Sequence, residues 1–473
     1  MMISPLLGAL LLLLARFNNN SLYVKFLPLF FSTATFLISI AIAAQFDHHI
    51  ENFQFIEQLG SNVLLGIDGI SLPLVLLTTL LFPLCIIYSL KLNLSYIKAY
   101  MALFLLLESL VIGFFISLNM IMFYILFEAV LMPMFLIIGI WGSKNRVYAA
   151  FKLFLYTFAG SLLFLVAVIY IYVTYSTSNI QELMSFLPKA SFNVQKWLWL
   201  ALFISFAVKI PMFPFHTWLP DAHVQAPTAG SVILAGLLIK MGAYGFLRFS
   251  LPMLPNASLY FANFVIALSI IAAIYASLVA FAQKDIKKLI AYSSIAHMGF
   301  VTAGIFSFNE EGISGAIFQM ISHGIISAAL FLCVGMLYSR TNTLNITKYG
   351  GAASTMPLFS LMFVLFSMAA IGLPTTSGFV SEFLCILGLF KSIKFAAALI
   401  ATATILSAVY MLYLCKGVIW GVSTSSLLTK DISKIELFVL LPLAILTLLL
   451  GIYPTSLLMY LKPAISKLLT IIL

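Results

Sequence analysis

Apolar blocks of about twenty residues, enough to cross a bilayer as helix, recur along almost the whole chain, separated by short polar stretches with one or a few charges. The pattern predicts about fourteen spans, near 2–15, 22–44, 66–90, 97–117, 119–140, 149–174, 196–219, 228–249, 258–281, 287–306, 313–338, 357–390, 395–420 and 436–460. The expectation is an all-α polytopic membrane protein. The first block is short and the twelfth is long. The longest hydrophilic stretch, Gln45 to Gly60, holds Asp47, His48, His49, Glu51 and Glu57 and reads as a loop. No segment of soluble composition is large enough to form a second domain.

Two spans are interrupted. The seventh carries Val208-Lys209-Ile210-Pro211-Met212-Phe213-Pro214, and the twelfth carries Ile371-Gly372-Leu373-Pro374 followed by Gly378. A proline inside a helix removes an amide donor and clashes with the preceding turn. The carbonyls so freed survive at membrane depth only when buried in protein or lining a wet cavity. Two unrelated proline kinks are the plain account. Spans four to eight and nine to thirteen, however, are both five-helix blocks with the fourth helix broken, and paired interruptions mark inverted-repeat transporters. The chain thus divides into an N-terminal three-helix segment (1–95), two five-helix repeats (96–250 and 258–420) and a C-terminal helix (430–473).

Composition narrows the class. Charged residues make up 8% and hydrophobic ones 63%, against about 25% charged in soluble domains, so lipid is the solvent. The formal charge of +10 is scattered singly, without a basic run or stacking platform, which argues against nucleic acid. The basic residues instead report topology. Fifteen, among them Arg16, Lys91, Lys284, Lys287, Lys288 and Arg340, lie on the side of the loops that follow odd-numbered spans, against seven on the other. Basic residues favour the inside, so both termini are expected to face outward, toward an intermembrane space. Cys85, Cys333, Cys385 and Cys415 are far apart, which argues against iron–sulfur, structural zinc and c-type haem. The N-terminus lacks a signal peptide's basic region and cleavage site and an Arg-rich transit peptide. It reads as the first span of a chain inserted where it is made.

The candidate chemistry is the charge left inside the spans. Glu108, Glu128, Lys209, Lys240, His297, His323 and Glu382 occupy seven different helices at similar depth. A charge at the bilayer centre costs about 2.5–3.5 kcal/mol, so such groups usually mark ion or proton pathways. One buried acid such as Glu108 can equally be a packing residue. A midplane lysine cannot snorkel, and so needs a partner, a water or the neutral form. A lysine with a movable carboxylate nearby can switch between holding and releasing a proton, and histidine passes protons at either ring nitrogen. His297 and His323 could instead be axial ligands of a single haem. His216 and His223 flank Trp218-Leu219-Pro220-Asp221 and are expected to line an entrance or to hydrogen-bond the broken backbone. His48 and His49 are two adjacent side chains in a solvated loop, weak evidence for a metal. There is no GxGxxG after a strand, no GxxxxGK[ST] and no cysteine cluster, so any redox energy would have to arrive from partner subunits.

Several segments carry a family signature: Phe127-Glu128-Ala129-Val130-Leu131-Met132-Pro133-Met134-Phe135; Val208-Lys209-Ile210-Pro211 through His216-Thr217-Trp218-Leu219-Pro220-Asp221-Ala222-His223; Ala226-Pro227-Thr228-Ala229-Gly230-Ser231-Val232; Asp285-Ile286-Lys287-Lys288-Leu289-Ile290-Ala291-Tyr292-Ser293-Ser294 to His297-Met298; and Gly372-Leu373-Pro374 to Ser381-Glu382-Phe383. From about Gly66 to Trp420 the chain resembles the antiporter-like, proton-translocating chain 4 family of respiratory complex I (NADH–ubiquinone oxidoreductase). The resemblance implies a fourteen-helix fold with two inverted repeats. It implies that Glu128 and Lys209 form the charge pair of the first half-channel, with Lys240 as the connecting site and Glu382 as the exit-side group. His297 would bridge toward Glu382, where some relatives place lysine, and His323 is a secondary candidate. Protons would then pass from the matrix through Lys209 and Lys240 to His297 and Glu382, gated by the charge of the Glu128–Lys209 pair.

The same resemblance implies an enzyme subunit without a redox centre of its own, with FMN, iron–sulfur clusters, NADH and ubiquinone on partner subunits. The expected partners are the other membrane-arm subunits, homologous antiporter-like ones included, and lipids such as cardiolipin. Low charge and 43 phenylalanines favour an organelle-encoded copy in the mitochondrial inner membrane over a bacterial plasma membrane. The rival in the same fold family is a subunit of a multisubunit cation/proton antiporter. A haem-bearing electron carrier and a structural scaffold are rivals from other classes.

Overall fold

A computed structural model describes all residues except 15–20, 60–62, 93 and 422–429; Arg16 and Gly60 therefore lie outside the described residues. The chain is almost wholly helical, as lipid demands, because a helix satisfies its own backbone where no water can. The N-terminal helices are α1 (Ile3–Leu14), α2 (Leu22–Gln45) and α3 (Ser71–Leu90). The first repeat comprises α4 (Ile97–Ile116), α5 (Met120–Trp141), α6 (Arg146–Tyr175), α7 (Phe192–Lys209) with α8 (Trp218–Gln225), and α9 (Thr228–Met253). The second comprises α10 (Pro255–Phe281), α11 (Ile286–Ile305), α12 (Glu310–Thr341), α13 (Pro357–Ile371) with α14 (Ser377–Ser392), and α15 (Lys394–Val418). Helices α16 (Lys434–Ile452) and α17 (Thr455–Ile472) follow. The expected breaks fall between α7 and α8 and between α13 and α14, at the fourth helix of each block.

Among the described residues eleven helices are long and apolar enough to cross a bilayer, against about fourteen spans read from hydropathy. The difference has local causes. α1 has only 12 residues and α13 only 15 because of the break behind it, while α7 and α11 carry lysines that dilute their hydropathy.

Two further readings need correction. Part of the stretch read as a loop is a β-hairpin: β1 (Gln54–Leu59) pairs antiparallel with β2 (Val63–Ile67), with a bulge between Gln54 and Glu57. The last span, read as 436–460, also stops early. Tyr453 and Pro454 end α16, and α17 is a separate amphipathic helix. Its buried stripe Leu457, Leu461, Ala464, Ile465, Leu468 and Ile472 follows the spacing of one helical face.

α12 is the axis of the molecule, buried from Gly312 to Leu337 and packed against α3, α9, α11, α14, α16 and α17. It meets α9 where two glycines face each other. A Cβ on Gly324 would stand 2.5 Å from Leu77 Cδ2 and 3.1 Å from the Gly236 carbonyl oxygen, and one on Gly236 would stand 2.6 Å from Leu81 Cδ1. Small residues let membrane helices approach to backbone contact, and here they bring Lys240, one turn beyond Gly236, level with His323.

Candidate functional site

In the first repeat the acid lies beside a kink. Pro133 denies a donor to the carbonyl of Ala129 and crowds it, and α5 is interrupted at Val130. Glu128 is half-buried next to this interruption, with one carboxylate oxygen buried and unpartnered. Lys209 is the last residue of α7, 2% exposed, at the start of the other break. Its ammonium donates to the Phe127 carbonyl at 3.3 Å and lies 4.5 Å from the centre of the Phe127 ring. Two of the carbonyls freed by the break find donors: Met212 N donates to Ala207 O at 2.8 Å, and the Trp218 indole donates to Val208 O at 2.9 Å. Glu128 and Lys209 feel each other's charge, but no ion pair within 4.0 Å joins them among the described residues. The expected charge pair is open.

The second half is closed. Lys240 is fully buried on α9 between two π-helical turns, Leu234–Leu238 and Phe246–Ser250. Such widened turns concentrate at functional sites. Its ammonium donates to the Ala235 carbonyl and stands 2.8 Å from Nδ1 of His323 on α12. The His323 ring lies 5.5 Å, centre to centre, from that of His297 on α11. Nδ1 of His297 is 2.9 Å from Oε1 of Glu382 on α14. Lys240, His323, His297 and Glu382 thus form one row across four helices, each no more than 5% exposed.

The second break places the end of that row. Gly372 caps α13 with φ +84°, a left-handed conformation that costs glycine nothing, and Leu373 N closes back on Met368 O at 3.0 Å. α14 then starts at Ser377, whose hydroxyl accepts from Ser322 at 2.8 Å, and presents Glu382 in its second turn. Oε2 of Glu382 has no partner and faces Gly372. A narrow cavity bounded by His297, Gln319, His323, Ser327 and Glu382 has room for about one water.

The remaining candidates fall outside the row. Glu108 is fully buried with both oxygens unpartnered, beside Ser32 of α2. His216 and His223 are buried, but among the described residues no hydrogen bond carries His223 to the broken backbone; its two ring nitrogens are unpartnered there and it stacks on Phe331 at 4.6 Å. Asp47, His48 and His49 gather donor atoms within 4.8 Å on an exposed loop remote from the row. One residue was misplaced by the charge pattern. Lys287, counted among the loop lysines, is buried in the first turn of α11, donates to the Ala226 carbonyl at 2.8 Å, and lies within electrostatic reach of His223, as does Lys240. A lysine beside the polar Asp285-Lys288 edge of a span looks like a topology marker, and only its recurrence inside a family motif signals otherwise. Gln319 and Ser381 were missed altogether, because a search for charge passes over neutral amides and hydroxyls.

With the geometry in place, comparison with known proteins is informative. Residues 117–407 match the family model described as NADH:quinone oxidoreductase/Mrp antiporter, membrane region. The chain is 52% identical to the NADH-quinone oxidoreductase subunit M of Rickettsia prowazekii, over 96% of this chain and 94% of that protein. It is 46% identical to the NADH-ubiquinone oxidoreductase chain 4 of Arabidopsis thaliana, over 99% and 96%. A chain of the respiratory complex I of Thermus thermophilus with bound NADH superposes with TM-score 0.89 at 30% identity, over 99% of this chain and 98% of that one. A chain of the Mrp complex of a Dietzia species superposes with TM-score 0.90 at 21% identity, over 99% and 96%, a likeness of fold.

Proposed function

The chain belongs to the NADH:quinone oxidoreductase/Mrp antiporter membrane family, and from that premise we propose that it is a core membrane-arm subunit of proton-pumping respiratory complex I. It moves protons through its buried acids and bases, driven by redox chemistry in partner subunits. The observation that carries the reading is the row Lys240–His323–His297–Glu382, in which two of the three steps are contacts under 3 Å. Relatives at 46–52% identity bear complex I names, whereas the antiporter likeness rests on fold, so complex I is the reading favoured over a cation/proton antiporter.

The proposed mechanism follows the geometry. A proton entering from the inner side reaches Lys240, from Lys209 or from Lys287 by way of His223. Among the described residues no hydrogen bond or shared partner links Lys209 to Lys240, so the first of these links is a water step. Lys240 hands the proton to His323 Nδ1, and water in the small cavity joins the His323 and His297 rings. His297 Nδ1 delivers to Glu382, and the unpartnered Oε2 releases outward. Closing the Glu128–Lys209 pair would strengthen the hold of Lys209 on its proton, and opening it would release that hold; this is the gate. His323 becomes a principal member of the relay. FMN, iron–sulfur clusters, NADH and ubiquinone are assigned to partner subunits, and the space between the two histidine rings is far smaller than a porphyrin.

The neighbours are proposed to be other membrane-arm subunits, homologous ones among them, together with acidic lipids such as cardiolipin and no nucleic acid. The location is proposed as the mitochondrial inner membrane with both termini outward, on the weight of the basic residues. The decisive experiment replaces His323 with Ala, and separately Glu128 with Gln, in the assembled complex and follows proton uptake coupled to NADH oxidation. Normal pumping in both would end the relay reading.

A further inference from the structure

Nδ1 of His297 has two neighbours. Glu382 Oε1 is at 2.9 Å and Gln319 Nε2 at 3.4 Å. A carboxylate oxygen can only accept from that nitrogen, and an amide nitrogen can only donate to it. A neutral imidazole nitrogen either carries its proton or offers its lone pair, and cannot do both. The two neighbours are thus suited to opposite states of the same atom. With the proton on Nδ1, His297 donates to Glu382. With Nδ1 bare and Glu382 ionised again, after the proton has moved on from it, the carboxylate has no hydrogen to offer, and of the two neighbours only Gln319 can satisfy the nitrogen. A buried nitrogen left without a donor is penalised, so without Gln319 the emptied state is disfavoured and a proton tends to return to Nδ1.

The amide has a partner of its own. Its Oε1 faces the hydroxyl of Ser381, which also lies 3.0 Å from Ser377 O and 2.9 Å from Gly378 O on the first turn of α14. A hydroxyl has one proton and two lone pairs. Pointed at Gln319 Oε1, that proton fixes the amide with its nitrogen toward His297. Turned onto either backbone carbonyl, it leaves Ser381 as an acceptor. The amide can then reverse, giving its nitrogen to Ser381 and its oxygen to Nδ1–H of His297. Gln319 and Ser381 are 3% and 0% exposed, so bulk water does not compete for these bonds.

We infer that Gln319, steered by Ser381, is a positioning residue that follows the protonation of His297 by reversing its amide, so that Nδ1 is not left unpaired once the proton has passed to Glu382 and on from it. The role rests on the relay reading of His297 and Glu382. No bond is made or broken except the transferred N–H and O–H, and the proton lost by His297 is the one Glu382 gains.

The test uses the assembled complex in sealed vesicles. Proton uptake coupled to quinone reduction is measured beside NADH oxidation by a soluble acceptor, which reports assembly. Infrared difference spectra of histidine-labelled complex report the imidazole tautomer. Gln319→Met keeps length and removes both amide functions, and Ser381→Ala removes only the hydroxyl. Coupled turnover is expected to fall on the order of tenfold in Gln319→Met and less in Ser381→Ala, with soluble-acceptor activity kept. In both, the tautomer bands should shift toward a proton retained on Nδ1. Gln319→Glu, which can accept from Nδ1–H but does not donate as a carboxylate, should show that same shift. Unchanged turnover and bands in Ser381→Ala together with an assembled Gln319→Met overturn the inference; should Gln319→Met fail to assemble, Ser381→Ala decides alone. His297→Ala and Glu382→Gln separate the levels: if they pump normally the relay itself falls, and if they abolish pumping while Gln319→Met does not, only the role of Gln319 falls.

Discussion

Nζ of Lys240 and Nδ1 of His323 stand 2.8 Å apart in a buried site, and two nitrogens at that distance must share a hydrogen. One is donor and the other acceptor, so the pair cannot be an ammonium beside an imidazolium. Loading one partner therefore empties the other. His323→Ala removes the acceptor, and Lys240 keeps the Ala235 carbonyl as its partner among the described residues. Proton uptake coupled to NADH oxidation is expected to drop on the order of tenfold or more, the scale of lost proton-transfer groups, with electron transfer to a soluble acceptor unchanged. Undiminished proton uptake would mean that Lys240 hands its proton elsewhere.

The approach of α9 to α12 sets that distance, so it can be tested without touching a titratable group. Gly324→Val places a branched side chain where even a Cβ would lie 2.5 Å from Leu77 and 3.1 Å from the Gly236 carbonyl. The helices must separate, at a cost of about 1–3 kcal/mol for an overpacked site. A lowered thermal midpoint of the purified complex should accompany loss of pumping. A normal midpoint with normal pumping would show that the crossing is looser than it stands here.

Much of this architecture was legible in the residue order, and the exceptions have physical reasons. Lipid leaves the backbone little choice but helix, so hydropathy alone located the blocks around Ser71–Leu90 or Pro255–Phe281. Pro211 and Pro374 announced the breaks because a missing amide donor is a local fact. Glu128, Lys209 and Lys240 stood out because a charge at depth is costly. The hairpin of Gln54–Leu59 and Val63–Ile67 was hidden because its strands are short and of mixed polarity. α17 was hidden because its apolar residues fall on one face only, diluted by Lys462 and Lys467. The order of contact along the row depends on which helices cross at which level. That is long-range information, and it made His323 central and left Glu128 and Lys209 apart.

At the Lys91 end of the bundle, α12 is tied to α16. Arg340 donates from Nη1 to Oε1 of Glu436 at 3.0 Å and from Nη2 to Oε2 at 2.8 Å, and Lys91 adds a third contact at 3.0 Å. Arg340→Lys keeps the charge and loses the two-pronged geometry. A cost of about 1–3 kcal/mol follows for one lost charge-assisted bond, read as a lower thermal midpoint of the detergent-solubilised complex. Pumping per NADH should be unaffected, since Arg340 is not part of the row.

The ion pair of Asp68 and Arg248 poses the sharper energetic question. Both side chains are buried, 6% and 7% exposed. Arg248 also donates to Tyr244 at 2.8 Å, and Tyr244 donates to the Phe115 carbonyl at 2.8 Å. Removing either charge strands the other in a low-dielectric site, which costs about 3–5 kcal/mol, whereas replacing both with apolar residues of similar size is often neutral. Asp68→Leu alone and Arg248→Met alone should therefore each lower the thermal midpoint markedly, and the double replacement should recover most of the loss. The non-additivity is the measurement that matters. If the double variant is as unstable as the sum of the singles, the pair is not an isolated couple. The chain from Arg248 through Tyr244 to the Phe115 carbonyl would then be the element that holds α9 against α4, and with it the level at which Lys240 meets His323.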